Sequence, residues 1–332
     1  MRSPYKGAGQ VKAAGVDLTT RVGSVVLPNP VMTASGTSGH GAELGRYLDL
    51  AALGAVVVKS LSPEPWAGNP APRVHETPAG MLNSVGLQGP GIAAWLAGEL
   101  PALLDAGARV VASIWGRSVE EYASAADLLA AAPAEVVAVE VNLSCPNLHA
   151  DGHGGGHADG GASGRAEMFA HRAEAAAEAI AATAGCGRPR WAKLSPNVTD
   201  LAAIAGAVAE AGAEAVTLIN TVMGLAIDPV NRRPRLGGGG GGLSGPAIHP
   251  VAVRAVHDVR RAHPELPIVG VGGIAGGEDA VELLLAGACA VQVGTATFAD
   301  PRAPARVLDE LGHWCRRHGV TVAGELVGGA HD

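Results

Sequence analysis

Along most of this chain, short β-branched runs alternate with alanine- and leucine-rich stretches of helical period. Strand-like runs fall at 30–35, 55–60, 109–115, 136–145, 190–196, 215–220, 267–273 and 290–298, separated mostly by Gly, Pro or Asp. Between them the apolar spacing lengthens to that of a helix. Residues 119–132 open after Ser118, a suitable N-cap, and Thr199 or Asp200 caps 201–211, where Leu201, Ile204 and Val208 recur on one face. Three helix ends meet the same signal, Ala106-Gly107-Ala108, Ala211-Gly212-Ala213 and Ala286-Gly287-Ala288. Glycine there supplies the left-handed residue that closes a helix. Eight strands with intervening helices predict an α/β fold, either an open doubly wound sheet or a closed (β/α)8 TIM barrel. The strand count and the length of 332 residues favour the barrel. Residues 22–27 predict a strand of an N-terminal hairpin, 1–20 a loose arm and 320–332 a loose tail. No linker divides the chain, so the expectation is one domain over 1–332, a barrel with loop insertions.

Composition narrows the partners. With 48% apolar residues the chain can bury a sizeable core, built mainly from Ala, Val and Leu. A net charge of −7 argues against a nucleic-acid partner, which needs a basic face. The N-terminus has no basic-then-apolar export pattern, and no apolar run reaches membrane-spanning length. Cys145, Cys186, Cys289 and Cys315 are scattered without C-x-x-C spacing, which suggests neither zinc nor an iron–sulfur cluster. Such thiols in an unexported chain predict a cytoplasmic protein.

The chemistry centres on Val139-Glu140-Val141-Asn142-Leu143-Ser144-Cys145-Pro146-Asn147. Proline cannot donate to a sheet ladder, so the strand stops there and presents Cys145 at its mouth. Asn142 and Asn147 flank the thiol, each with a donor and an acceptor for a planar polar ligand. In a barrel, active sites gather at the C-terminal strand ends. Those ends carry Ser35-Gly36, Lys59-Ser60, Ser113, Asn142 with Cys145, Lys193, Asn220-Thr221, Gly272-Gly273 and Gly294-Thr295. Each has an ordinary reading alone: a buried structural cysteine, a solvated lysine, a turn-forming serine or glycine. Convergence from eight strands is harder to explain that way. Gly272-Gly273 and Gly294-Thr295 let backbone N–H groups approach an anion, with Ser244-Gly245 as a further wall, which points to a phosphorylated ligand. Two strand-end lysines facing one mouth need negative charge between them. A flavin phosphate supplies it twice, at the phosphate and at N1–C2=O of the reduced ring, so FMN is preferred over a sugar phosphate.

A family resemblance rests on specific stretches. They are Asn29-Pro30 through Ala34-Ser35-Gly36, Val58-Lys59-Ser60, Gly68-Asn69-Pro70 with Pro72-Arg73, and Met81-Leu82-Asn83-Ser84-Val85-Gly86-Leu87-Gln88. Further on come Asn142-Leu143-Ser144-Cys145-Pro146-Asn147, Lys193-Leu194-Ser195-Pro196-Asn197-Val198-Thr199-Asp200, Ile219-Asn220-Thr221 and Gly242-Leu243-Ser244-Gly245-Pro246-Ala247-Ile248. From about Val25 to Pro304 the chain resembles the dihydroorotate dehydrogenases, and the Leu-Ser-Pro-Asn-Val-Thr-Asp run resembles class 1B. The resemblance implies oxidation of (S)-dihydroorotate to orotate in pyrimidine synthesis, with Cys145 as the base. It implies FMN contacts from Ser35, Lys59, Ser60, Ser113, Asn142, Lys193, Ile219, Gly245, Gly272, Gly273, Gly294 and Thr295, with Lys193 at the N1–C2=O edge. For the substrate it implies Lys59 and the backbone of Asn83, Ser84, Val85, Gly86 and Leu87 at the carboxylate. Asn83, Asn142, Asn147, Asn220 and Thr221 would read the amide edges. Class 1B further implies NAD⁺ as final acceptor, reached through a partner subunit carrying FAD and a [2Fe–2S] cluster, in a heterotetramer built on a homodimer of this chain.

Two departures stand out. Ser113 occupies the end of strand three where the family usually has asparagine. The loop after Cys145 carries His149, His153 and His157 with Asp151 and Asp159 among glycines. Gly152, Gly154, Gly155 and Gly156 oppose a helix presenting three histidine ligands, so the expectation is a lid over the substrate and no metal. The rival readings are a class 1A enzyme passing electrons to fumarate, a Schiff-base aldolase using Lys59 or Lys193, a flavin-dependent RNA reductase, disfavoured by the acidic charge, and a non-enzymatic scaffold.

Overall fold

The computed structural model describes residues 15–144 and 168–331. Eight strands form its centre: β1 (Val31–Thr33), β2 (Val56–Val57), β3 (Val110–Ile114), β4 (Val136–Asn142), β5 (Arg190–Lys193), β6 (Ala215–Leu218), β7 (Ile268–Val271) and β8 (Ala290–Val293). They form one sheet in the order β1-β8-β7-β6-β5-β4-β3-β2, with every pairing parallel. A parallel bridge between Met32 and Ala55 joins the two edges, and Gly54 N–H donates to Val31 O at 2.8 Å, so the sheet closes. The fold is the expected (β/α)8 barrel.

Side-chain alternation along the strands divides the core in two. One face packs on the helices; Val110, Val139, Val141, Ala192 and Val216 lie there with Tyr122, Ala125, Ile180, Ile204 and Val208. The other fills the barrel interior. Met32, Val57, Val111, Ala138, Trp191, Ala215, Val269 and Ala290 make its base, closed below by Val22, Val25 and Leu27. These last come from the N-terminal hairpin, whose arms Thr20–Val22 and Val25–Leu27 are both contained in or adjoin the run read as a single strand. Above the apolar base the interior turns polar: Ser113, Glu140, Lys193, Thr217 and Gln292 are all buried.

The helix signals behave as their chemistry predicts. Ser118 Oγ accepts from Glu121 N–H at 3.3 Å at the start of helix Val119–Leu129, and Asp200 rather than Thr199 caps Leu201–Glu210, accepting from Ala203 N–H at 2.9 Å. Gly107, Gly212 and Gly287 all take positive φ at the ends of their helices.

Three expectations need correction. Strand eight was expected to run to 298, but it ends at Val293, and Ala296–Ala299 is a helical turn after Gly294. The tail is not loose through His331, since Gly328 N–H and Ala330 N–H donate to Leu284 O and Leu285 O at 3.0 Å each. The end of the supposed loose arm is likewise tied down, with Asp17 N–H donating to Thr321 O at 2.8 Å. Backbone pairing of this kind leaves no hydrophobic period to read.

A second sheet was not anticipated. Val222–Gly224, Gly241–Ser244, Gly80–Asn83 and Val74–Thr77 pair antiparallel in that spatial order. Its glycines serve close approach rather than flexibility: a Cβ on Gly242 would lie 2.0 Å from Thr221 Oγ1 and 2.5 Å from its Cβ. Gly242→Ala should therefore force this strand off Thr221 and cost about 1–3 kcal/mol, the range for overpacking a filled site. Urea unfolding is expected to show a lowered midpoint with unchanged slope; an unchanged midpoint would mean that the strand shifts freely.

Candidate active site

Closure of the parallel sheet brings all the strand C-termini to one rim, and a cavity of about 370 Å³ opens there. Of the cofactor positions expected from the sequence, Ser35, Lys59, Ser60, Asn142, Lys193, Ile219, Gly245, Gly272, Gly273, Gly294 and Thr295 all line it. So do Asn83, Ser84, Val85, Gly86, Leu87, Asn220 and Thr221 of the substrate set. Ser113 does not. It is fully buried behind Ser60, with the two hydroxyls 2.9 Å apart, so its side chain reaches the cavity only through Ser60. Cys145, Asn147, His149, His153 and His157 lie outside the described residues. Ser144, the residue before Cys145 in the sequence, lines the cavity.

A chain of polar contacts ties three strand ends together. Asn142 Nδ2 donates to Ser60 Oγ at 3.1 Å, and Asn142 Oδ1 accepts from Asn220 Nδ2 at 3.2 Å and from Ser144 N–H at 3.2 Å. Asn220 Oδ1 in turn accepts from Thr221 N–H at 3.0 Å. The backbone of Asn142 is held from outside the barrel, where Tyr122 donates its hydroxyl proton to the Asn142 carbonyl at 2.7 Å. Hydrogen bonding at both ends of each carboxamide fixes which edge it offers.

One end of the cavity suits an anion. Gly272 and Gly273 have φ of +139° and +72°, which L side chains rarely adopt. A Cβ on Gly272 would lie 2.7 Å from Ala252 Cβ, and one on Gly273 would lie 2.6 Å from His249 Cβ. Bare backbone is the only way to line this end with N–H groups. His249 braces the turn, its Nδ1 lying 2.8 Å from Gly272 O and its Nε2 3.1 Å from Glu282 Oε2. Thr295 Oγ1 donates to Ser244 Oγ at 2.8 Å across the same end.

The other end carries Lys59 and the loop 83–88. Trp66 Nε1 donates to Gly86 O at 2.9 Å, and Asn69 Nδ2 donates to Ser84 Oγ at 3.0 Å. Arg73 holds Asn69 O and Ala67 O and reaches the Gln88 carboxamide. Burial first, and then the Arg73 guanidinium, push the Lys59 ammonium below its usual range. Among the described residues Lys59 has no ion pair with a carboxylate. A cation kept there at a desolvation cost suits a ligand that brings negative charge. Lys193 is placed differently, with Nζ 3.3 Å from Ser35 Oγ and 3.6 Å from Glu140 Oε1.

Sequence reading missed the supports: Glu140, Gln292, His249, Asn69 and Tyr122. Glu140 alternates with Ala138 and Asn142 along β4, and that period alone points it into the barrel. The rest have no comparable signal, because they act through side-chain bonds to distant backbone.

Two strand-end lysines, a glycine-built end and hydrogen-bonded carboxamides gather at one rim of this barrel, a site suited to a polar ligand that carries negative charge. The sequence model described as dihydroorotate dehydrogenase matches residues 17–314. A Desulforudis audaxviator protein named dihydroorotate dehydrogenase B (NAD(+)), catalytic subunit, is 48% identical over 316 residues, 95% of this chain and 98% of its own length. A Geobacter sp. (strain M21) protein of the same name is 45% identical over 313 residues, 94% of this chain and 97% of its own. A Solibacter usitatus protein, provisionally named dihydroorotate dehydrogenase A (fumarate), is 47% identical over 311 residues, 94% of this chain and 97% of its own. The chain belongs to the dihydroorotate dehydrogenase family, whose members are flavin-dependent oxidoreductases of pyrimidine synthesis.

His40, beside Lys59, gives a pH test of this end. Burial, then the Lys59 charge, push its imidazole from 6.5 down to about 4, against a smaller upward pull from Glu43. Its folded pKa is the lower one, so between about 4 and 6.5 the unfolded chain binds more protons and stability falls as the pH drops through that window. His40→Asn should lose less thermal stability than wild type between pH 6.5 and pH 4. Parallel melting curves for the two proteins across that range would contradict the assignment.

Proposed function

We propose that this protein oxidises (S)-dihydroorotate to orotate with bound FMN and passes the electrons to NAD⁺ through a partner subunit. The observation that carries the reading is Lys59, partly buried in the cavity wall with no ion pair to a carboxylate among the described residues, opposite a glycine-built anion end. Those two features call for one anionic group at each end of the cavity. The phosphate of FMN suits Gly245, Gly272, Gly273, Gly294 and Thr295. Its ring suits the stretch bounded by Ser35, Ser60, Asn142, Lys193 and Ile219, with Ser113 supporting through Ser60. Lys193 would face the N1–C2=O edge. The dihydroorotate carboxylate would meet Lys59 and the backbone of Asn83, Ser84, Val85, Gly86 and Leu87. The carboxamides of Asn83, Asn142, Asn147 and Asn220, with the Thr221 hydroxyl, would read the ring amides.

FMN held by these residues would supply the two-electron acceptor for the hydride that leaves C6 of the substrate. The chain's own contribution is the proton. Cys145, as thiolate, takes the C5 proton, and the electron pair left behind becomes the C5=C6 double bond of orotate. A thiol of ordinary pKa about 8.5 needs only a modest depression to act as a base near neutrality. Asn142 and Asn220, held by Ser60, Tyr122 and each other, orient the substrate without having to reorganise.

The acceptor follows from chemistry and from the relatives. Proteins such as the Geobacter one are named as catalytic subunits using NAD(+). The four cysteines lack cluster spacing and the described residues form the barrel without a separate dinucleotide-binding fold, so we assign the relay to another subunit bearing FAD and a [2Fe–2S] cluster. The assembly would be a heterotetramer on a homodimer of this chain. Among the described residues no helix is long and apolar enough to cross a membrane, in keeping with a cytoplasmic site of action. Direct use of fumarate is the second reading, favoured by the name of the Solibacter protein.

The purified protein should be yellow, and dihydroorotate added anaerobically should bleach its flavin. Cys145→Ala should keep FMN and orotate but bleach at least about 10²-fold more slowly, the usual contribution of a general base. Near-normal bleaching by that variant would remove Cys145 from the role, and a borohydride-trapped substrate adduct without flavin would favour the aldolase. Electron transfer gives a separate check: the isolated chain should reduce NAD⁺ poorly until the partner subunit is added. Fast fumarate turnover by the single chain would establish the second reading instead.

A further inference from the structure

We propose that Glu140 is the buried counter-ion of Lys193 and sets the charge that Lys193 presents to the flavin. The inference rests on the FMN reading above and extends it to a residue outside the cavity wall. Alternation along β4 puts Ala138, Glu140 and Asn142 on the interior face. Ala138 belongs to the apolar base and Asn142 to the cavity, so Glu140 lies one layer beneath the cofactor site. β5 runs beside it, with Trp191 in the base and Lys193 at the cavity.

Among the described residues, Glu140 and Lys193 are the only buried carboxylate and the only buried ammonium. Glu140 is wholly inaccessible; its Oε2 accepts from Gln292 Nε2 at 2.7 Å and its Oε1 faces Lys193 Nζ at 3.6 Å. A lone carboxylate would be costly at this depth, so the pair is electrostatically obligatory once either charge is present. It is not needed to fill the barrel. The layer below is apolar throughout, and buried ion pairs are often no more stabilising than hydrophobic residues of the same size. A carboxylate that contributes little net stability and touches no substrate acts on the lysine.

The consequence is electronic. Hydride transfer carries two electrons and one proton to the oxidised flavin, so the ring gains one negative charge. A bare ammonium at the cavity wall would stabilise that charge strongly and hold the electrons. Glu140, buried outside the cavity lining and 3.6 Å from Lys193 Nζ, offsets much of its field and fixes its position. The flavin then stays reducing enough to hand electrons on. Glu140 is thus a positioning residue, not a catalytic one.

The test is Glu140→Gln in the FMN-bound protein, read by spectroelectrochemistry. At a poise that holds the wild-type flavin half reduced, the variant's reduced-to-oxidised ratio should rise at least about tenfold, or about 30 mV for a two-electron couple. Flavin uptake with a ratio within about twofold of wild type would overturn the role. A wild-type chain that takes up no flavin would remove the proposed function and this role with it. Should Glu140→Gln fail to fold, Glu140→Gln with Lys193→Met decides. A double variant more stable than Lys193→Met alone supports the pair; one no more stable than Lys193→Met overturns the proposal.

Discussion

Closure of the parallel sheet between Met32 and Ala55 is the constraint on which the rest of the structure depends. A parallel barrel has no choice about where its strands end: every C-terminus reaches the same rim. Residues remote in sequence then meet, as Lys193 Nζ and Ser35 Oγ do at 3.3 Å, and Gln292 Nε2 and Glu140 Oε2 at 2.7 Å. The same closure makes the interior a stack of layers. Trp191 and its small neighbours seal the base, so polar groups above them sit in a medium where charge must be matched.

That medium gives the two lysines different tasks. Lys193 is matched from within by Glu140, so its field at the cavity is tempered before any ligand arrives. Lys59 has no such partner among the described residues and is held deprotonation-prone by burial and by Arg73. Its charge is therefore best satisfied by a ligand that brings a carboxylate. Between them the carboxamides of Asn142 and Asn220 are locked by mutual hydrogen bonds, which suits recognition of a flat ring carrying alternating donors and acceptors. Opposite, Gly272 and Gly273 allow backbone to approach where any Cβ would strike Ala252 or His249.

Much of this was legible in the sequence, for identifiable reasons. Barrel strands such as Val136–Asn142 are β-branched and bounded by turns, so their period shows. The cavity residues stand at strand ends, and the fold rule sends strand ends to the rim, which is how Lys59, Asn142, Lys193 and Asn220 were found together. The antiparallel sheet that walls the cavity was not legible. Its strand Gly241–Ser244 begins in glycines that are there for contact with Thr221, and glycine carries no hydrophobic signal. Ser113 was placed one layer too high, because a strand end in sequence does not say which of two neighbouring hydroxyls faces the opening. Glu140 lies within Val136–Asn142, yet an isolated carboxylate in an apolar run gives no clue to its partner until β5 and β8 are set beside it.

In the proposed complex this rim holds FMN with its phosphate at Gly272-Gly273 and its ring edge at Lys193, leaving Lys59 for a carboxylate. The most direct measurement is a crystal structure of the protein as purified, soaked with orotate. Phosphate density is expected on the Gly272, Gly273, Gly294 and Thr295 backbone, the flavin N1–C2=O edge at Lys193, and the orotate carboxylate at Lys59. A phosphate bound at Lys59, or a flavin ring turned with its N1–C2=O edge away from Lys193, would contradict it.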